Sequence, residues 1–144
     1  MGIATLPGVP FHPGALTTGA GVARPAGVVD HRMARNALLA EYRRGRLAQH
    51  EVCDAHPELR RAAEHISRKT TEVCPVCEDH FLVLVTYAFG PHLPRSGYAI
   101  EDRADMDKVR RTTTECTCYV IEVCVGCGWN HLLQTFPVEG FRGT

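Results

Sequence analysis

The sequence predicts an α+β fold in which a helical N-terminal part is followed by an antiparallel β-sheet that one metal ion holds together. Apolar residues recur at helical spacing before residue 69 and at strand spacing after residue 70. Two Cys-x-x-Cys pairs, Cys74–Cys77 and Cys124–Cys127, each fall between two such strands. The 144-residue chain is within the size of one domain, and a small sheet of this kind gains stability from a metal cross-link.

The chain divides into three predicted parts: a disordered leader at 1–29, a helical subdomain at 30–69 and a zinc-ribbon-like domain at 70–144. The leader holds six of the thirteen glycines, four of the nine prolines and one charged residue, Arg24, and it lacks apolar periodicity. It also lacks the apolar segment of a secretory signal, and no stretch of the chain approaches the roughly 20 apolar residues that span a bilayer. We therefore expect a cytoplasmic protein that does not contact a membrane.

The helical subdomain is predicted to contain two to three short helices. The predicted helices are residues 30–44, 47–54 and 57–66. Asp30 is a suitable N-cap for the first helix, and Gly45 ends it. Pro57 stands at the first position of the third, where its missing N–H costs nothing. The outer face of the first helix is expected to carry Arg32, Arg35, Arg43 and Arg44.

The second half is predicted to be mostly strand. The predicted strands are residues 71–73, 81–87, 114–123 and 131–136. Residues 98–113 are charged, and the sequence leaves open whether a helix at 103–111 or a loop connects the middle strands. The third strand alternates, which predicts Tyr119, Ile121 and Val123 on one face and Cys116, Cys118, Val120 and Glu122 on the other.

The four cysteines of the two pairs are the predicted ligands of one structural Zn²⁺: Cys74, Cys77, Cys124 and Cys127. Four thiolates in two tight turns are typical of a tetrahedral zinc site, and such a site leaves no position for water or substrate. We therefore predict a protein that is not an enzyme. The pairs are 46 residues apart, further than the roughly 15 to 20 of compact zinc motifs, but loop-closure entropy grows only slowly with loop length.

Several alternatives remain open for these cysteines. Iron in the same cage, as in rubredoxin, and buried thiols without metal both agree with the residue types. His80 or His131 could replace a cysteine ligand or donate a hydrogen bond to one. A thiol oxidoreductase or redox sensor is the enzyme alternative, although its Cys-x-x-Cys motif usually opens a helix, and an apolar strand follows Cys77.

Four more residues raise questions that the spacing leaves undecided. Cys53 is expected inside the second helix as a core residue. Cys116 and Cys118 are interpreted as small side chains on a partly covered strand face, with a second metal site or redox switch as the alternative. Trp129, the only tryptophan, is expected to pack over the metal site or to form an exposed aromatic anchor for a partner.

Some longer strings resemble a known family. They are Val29–Arg35, the Val-Cys-Asp-Ala-His-Pro-Glu-Leu string at 52–59, the first cysteine pair with the strand at 82–87, and Glu122–Leu132 with its Cys-Gly-Trp-Asn-His string. Together they resemble a small actinobacterial family filed as a domain of unknown function, over about residues 29–137. The resemblance implies a zinc-ribbon-like cytoplasmic protein whose four paired cysteines match the family pattern. It implies no activity.

The predicted function is that of an adaptor that binds a protein or a nucleic acid. By analogy with other small zinc ribbons, the partner is expected in the transcription or translation machinery. The chain has no net charge, and no phosphate-binding loop or other small-molecule motif is visible. A DNA-binding regulator with a helix-turn-helix at 47–66 is the alternative, although Arg60 and Arg61 are balanced there by Glu58 and Glu64, which weakens phosphate attraction.

Overall fold

Residues 27–141 are described in the computed structural model, and this part of the chain contains four helices and six strands. The elements are, in chain order, β1 (Val29–Asp30), α1 (Arg32–Arg43), α2 (Gln49–Val52), α3 (Pro57–His65), β2 (Arg68–Val73), β3 (Phe81–Phe89), β4 (Tyr98–Ile100), α4 (Arg103–Thr112), β5 (Glu115–Val123) and β6 (Asn130–Glu139). Most of the predicted leader lies outside the described residues.

All six strands belong to one antiparallel sheet. Its order is β1-β6-β5-β3-β2, and β4 pairs with the C-terminal half of β3. The central pair is β3 with β5, in a register that runs from Val83 opposite Val123 to Phe89 opposite Thr117. The predicted α+β class, with an antiparallel sheet, is thereby confirmed. Among the described helices, none is long and apolar enough to cross a membrane.

The helices cover both faces of the sheet, because alternate side chains of each strand point to opposite faces. On one face, Leu84, Ala88, Cys116, Cys118 and Val120 pack with Met106 and Val109 of α4. On the other face, Val83, Val85 and Val123 pack with Ala62 and Ala63 of α3. A third cluster lies where β3 begins and β5 ends, and it joins Leu39 of α1, Val52 of α2, Leu82 and Trp129 to Cys74 and Cys124.

The start of the described chain departs from the prediction. Residues 29 and 30 form a strand rather than the end of a leader and a helix cap, since Val29 pairs with Thr135. His31 occupies the N-cap position of α1, and its backbone N–H donates to the Leu133 carbonyl at 2.8 Å. The Asp30 carboxylate still accepts a hydrogen bond from the Arg32 amide at 2.8 Å. The first helix is therefore anchored to the last strand from its first turn.

The connection between the middle strands is helical, which decides the alternative that the sequence leaves open. Asp102 caps α4, because its carboxylate accepts a hydrogen bond from the Asp105 amide at 3.0 Å. The short strand β4 precedes this helix and has no predicted counterpart. Cys116 and Cys118 face α4 and are 4% and 0% exposed, so their strand face is fully covered rather than partly covered.

Candidate metal centre

The two cysteine pairs lie in turns at the same end of the sheet. The first turn, Cys74–Cys77, connects β2 to β3, and the second, Cys124–Cys127, connects β5 to β6. We call them the first and second knuckles. The antiparallel pairing of Val83 with Val123 brings the two turns together across 46 residues of chain. All four predicted ligands meet there, since their Sγ atoms lie within 4.8 Å of one another.

The sulfur spacing fits a tetrahedral ion. The Sγ atoms of Cys74 and Cys127 are 3.7 Å apart, and so are those of Cys77 and Cys124. A zinc–sulfur distance of about 2.3 Å places sulfurs at the corners of a tetrahedron about 3.8 Å apart. Both distances join one knuckle to the other. A single ion at the centre would therefore cross-link the beginning of β3 to the end of β5.

Backbone amides point at the sulfurs, as expected for turns that hold thiolates. The N–H···Sγ hydrogen bonds run from Val76 to Cys74 (3.4 Å), from Asp79 to Cys77 (3.5 Å), from Cys127 to Cys124 (3.4 Å) and from Trp129 to Cys127 (3.4 Å). Each of the four sulfurs thus accepts at least one backbone hydrogen bond. Such bonds stabilise the thiolate, which is the form of cysteine that binds a metal.

Without an ion, the cluster divides into two kinds of thiol. Burial raises the pKa of Cys74 well above its ordinary range and that of Cys127 to about 12, despite the amide bonds that oppose it. Burial also acts on Cys77 and Cys124, but the hydrogen bonds to each sulfur together outweigh it, so the pKa of both thiols is lowered. Cys77 interacts in this way with the Asp79 amide and His80, and Cys124 with the Cys127 and Gly126 amides. A cation bound here would displace thiol protons, because the thiolate is the form of cysteine that binds a metal.

Trp129 forms the inner wall of the site and is completely buried, so it packs beside the metal centre and is not an exposed anchor. Its indole N–H donates to the Glu122 carboxylate at 2.7 Å. The same carboxylate oxygen accepts a hydrogen bond from Arg35 Nε at 2.6 Å. Arg35 was predicted on the outer face of α1, but it points inward, and this buried charge pair ties α1 to β5.

The second knuckle is fastened to the helical part by Gly128. The backbone of this residue has φ +93°, which favours glycine. Its carbonyl accepts a hydrogen bond from the Ala55 amide at 3.0 Å, and a Cβ at this position would lie 3.1 Å from the Cys53 carbonyl oxygen. The segment after α2 can therefore approach the knuckle closely only because residue 128 has no side chain.

This close approach gives Cys53 an unpredicted position. Its thiol donates to the Cys127 Sγ, with the two sulfurs 3.4 Å apart. The sequence predicts Cys53 as a core residue of α2, and it does contact the third cluster, but no spacing rule connects it to a knuckle 74 residues away. Only its cysteine identity could have drawn attention to it.

Arg60 also has an unpredicted role. Its guanidinium donates to the carbonyls of Val125 and Gly126, both at 3.3 Å, and so it holds the second knuckle. The helix-turn-helix alternative requires this side chain to face DNA. In addition, α2 is only four residues long, and α3 packs Ala62 and Ala63 against the sheet. These contacts weigh against the alternative.

The two histidines near the knuckles are outside the cluster of ligand atoms. His80 Nδ1 lies 3.7 Å from the Cys77 Sγ, within reach of a hydrogen bond to sulfur. The His131 ring stacks on Trp129 with centroids 6.0 Å apart, and its Nδ1 lies 2.7 Å from the Leu132 carbonyl. Within residues 27–141, the grouped ligand atoms come from cysteine alone.

The fold and the site together define a class: an α+β protein with four cysteine sulfurs grouped at metal-binding distance. The chain belongs to a family of unknown function, DUF5318, whose profile matches residues 22–142. The resemblance to an uncharacterised family is thereby confirmed.

The relatives found include an uncharacterised protein of Mycobacterium bovis and uncharacterised proteins of two Mycobacterium tuberculosis strains. Each is 35% identical over 114 residues, which cover 79% of this chain and 83% of the relative. No solved structure is significantly similar.

Proposed function

We propose that this protein is a cytoplasmic, non-enzymatic binding domain whose sheet is cross-linked by one structural Zn²⁺ in a zinc-ribbon-like site. The observation that carries the proposal is the group of four Sγ atoms within 4.8 Å, with inter-knuckle distances of 3.7 Å. Four protein thiolates complete the coordination sphere of a tetrahedral zinc ion. The ion therefore stabilises the fold and performs no chemistry. The described cysteines are all free thiols, in agreement with a reducing compartment.

The zinc assignment is tested by elemental analysis of protein purified under reducing conditions. One zinc per chain and no iron is the expected result, because thiolate cages accept both metals and only the metal content distinguishes them. The double variant Cys74→Ser, Cys124→Ser should retain no metal, whereas Cys116→Ser, which changes a buried cysteine outside the cluster, should retain it. Protein with iron, or with no stoichiometric metal, would contradict the assignment.

The binding role is supported by an open groove of about 1110 Å³ on the α3 face of the sheet. Three aromatic rings on adjacent strands line it. Tyr87 lies opposite Tyr119 in the β3–β5 pair, and the ring of Phe89 meets that of Tyr119 edge to face, with centroids 5.2 Å apart. Leu59 of α3 and Ile66, which directly follows that helix, also line it. The groove is therefore lined by apolar side chains together with two tyrosines, which carry hydroxyl groups.

A protein segment fits this groove better than a nucleic acid. Tyrosine and arginine dominate the residues that anchor protein interfaces, and the lining includes two tyrosines together with Arg61. A phosphate backbone requires several cations, whereas the groove has Arg61 beside Glu58. We therefore assign the groove to an apolar segment of a partner protein. By analogy with other zinc ribbons, we place that partner in the transcription or translation machinery.

The groove assignment is tested by quantitative affinity capture with nuclease present, using matched variants. Tyr119→Ala and Arg61→Glu should each lower the recovery of the specific partner at least about tenfold, as for interface anchors worth more than 1.4 kcal/mol. Phe81→Ala removes an aromatic ring that is 58% exposed outside the groove, and this variant should leave the recovery unchanged. Capture that disappears with nuclease would indicate nucleic acid, and capture lost only in Phe81→Ala would place the interface elsewhere.

A further inference from the structure

We propose that Cys53 is a site of reversible oxidative modification: it forms a disulfide with Cys127, and this disulfide opens the metal cage. The inference rests on the proposed zinc site. Cys53 is outside the group of four, yet its Sγ is 3.4 Å from that of Cys127, nearer than the 3.7 Å between sulfurs of opposite knuckles. Cys53 is therefore a fifth thiol that contacts one of the four grouped sulfurs without being a member of the group.

The contact is fixed by the backbone on both sides of the thiol. The Cys53 amide donates to the Gln49 carbonyl at 2.8 Å, which places the residue at the end of α2. Two residues later, the Ala55 amide binds Gly128. Between them, the Asp54 carboxylate accepts a hydrogen bond from the side-chain amide of Asn130 at 3.0 Å. The segment that carries the thiol is thus attached to the chain that follows the second knuckle.

The geometry requires little movement for a disulfide to form. A disulfide bond is about 2.05 Å long, so the two sulfurs must approach each other by about 1.4 Å. Cys127 and Cys77 are half-buried, as is Cys53, whereas Cys74 and Cys124 are fully buried. A small oxidant such as hydrogen peroxide can therefore reach Cys77 and Cys127, and Cys127 is the one whose sulfur contacts Cys53.

The reaction proceeds in two balanced steps. The Cys127 thiolate attacks one oxygen of hydrogen peroxide, the O–O bond breaks, and Cys127 becomes a sulfenic acid while hydroxide leaves. The Cys53 sulfur then attacks the sulfenic sulfur, the S–O bond breaks, and the Cys53 proton leaves with the oxygen as water. Two thiol sulfurs are oxidised by two electrons, and the peroxide is reduced. Zinc itself does not change its oxidation state.

Position distinguishes Cys53 from the other cysteines. A thiol that ligates zinc is not available as a free second thiol while the ion is bound, and Cys116 and Cys118 are buried against α4. Cys53 meets both requirements of a resolving thiol, namely contact with the oxidised sulfur and freedom from the ion. Once Cys127 enters the disulfide, three thiolates remain, and the zinc is released. Reduction restores the fourth ligand.

The test is peroxide treatment of zinc-loaded protein, with released zinc measured by a chromogenic chelator and disulfides mapped by peptide mass spectrometry. In the wild type we expect one Cys53–Cys127 disulfide for each zinc released, and recovery of bound zinc after dithiothreitol and added zinc. In Cys53→Ala, Cys127 should proceed to sulfinic acid, so that most of this recovery is lost. Cys116→Ala, the matched cysteine control, should behave like the wild type.

Two results would overturn the inference. One is zinc release from the wild type while Cys53 remains open to alkylation. The other is a Cys53→Ala variant that releases and recovers zinc as the wild type does. Zinc content is measured before oxidation, and Trp129 fluorescence checks that the variant is folded. A preparation without zinc would overturn the proposed metal centre, whereas zinc-loaded protein that forms no Cys53–Cys127 disulfide would overturn this inference alone.

Discussion

Removal of the metal with a strong chelator is expected to lower the melting temperature by more than about 10 °C and to shift Trp129 emission to the red. Structural zinc contributes about 10–16 kcal/mol in small zinc peptides, against a total stability of about 5–15 kcal/mol for ordinary domains. Trp129, Leu39 and Val52 share a cluster with Cys74 and Cys124, so loss of the ion loosens the packing around the indole. Tryptophan fluorescence during thermal unfolding measures both effects, since the chain has one tryptophan.

The control for chelation is the double variant Cys74→Ser, Cys124→Ser, whose melting temperature a chelator should not change. The cluster around α4 contains no knuckle cysteine, so we expect amides of the Cys116–Val120 part of β5 to remain protected from hydrogen exchange longer than those near Trp129. An unchanged melting temperature after verified removal of the metal would contradict the structural role of the ion.

Replacement of Arg35 by alanine is expected to lower the free energy of unfolding by about 3–5 kcal/mol. The Glu122 side chain is 2% exposed and the Arg35 side chain 16% exposed, so the variant leaves an uncompensated charge inside the fold. Glu122 would keep the Trp129 N–H as a hydrogen-bond donor, but an indole carries no charge. Urea unfolding at equilibrium, followed by the same fluorescence, provides the measurement.

Arg44→Ala is the matched control for this variant. Arg44 directly follows the last residue of α1. It pairs with Glu41 at 3.0 Å, but its side chain is 61% exposed. Exposed pairs contribute less than about 1 kcal/mol, so this variant should lose correspondingly little stability. The double variant Arg35→Met, Glu122→Leu should be less destabilised than Arg35→Ala, because it removes both charges. An equal loss of unfolding free energy in Arg35→Ala and Arg44→Ala would show that the buried pair contributes no more to stability than an exposed one.

The parts of the fold that follow from local rules could be predicted from the sequence. The α1–α3 helices and the long strands have clear periodicity, and Pro57 does begin a helix. The predicted alternation in β5 agrees with the packing of Cys116 and Cys118 against α4 and of Ile121 against α3. In contrast, β1 and β4 are two and three residues long, too short for any period to be visible, and they exist because a neighbouring strand pairs with them.

The grouping of the four cysteines was predictable from the sequence, but the surroundings of these cysteines were not. Cys-x-x-Cys spacing is a local signal, so the knuckles are visible in the sequence. The roles of Cys53, Arg60 and Arg35 depend on contacts between residues 65 to 87 positions apart, which no local pattern encodes. An arginine on an amphipathic helix is ordinarily solvated, and only the buried carboxylate of Glu122 gives Arg35 a reason to turn inward.

The separation of the two knuckles has a consequence for how the protein is made. A ribosome adds about 5–20 residues per second, so the 46 residues between Cys77 and Cys124 delay the second pair by roughly 2 to 10 s. During this interval the nascent chain exposes two thiols that have no partners across the sheet. A site that uses all four cysteines therefore cannot be complete until the second pair has been synthesised.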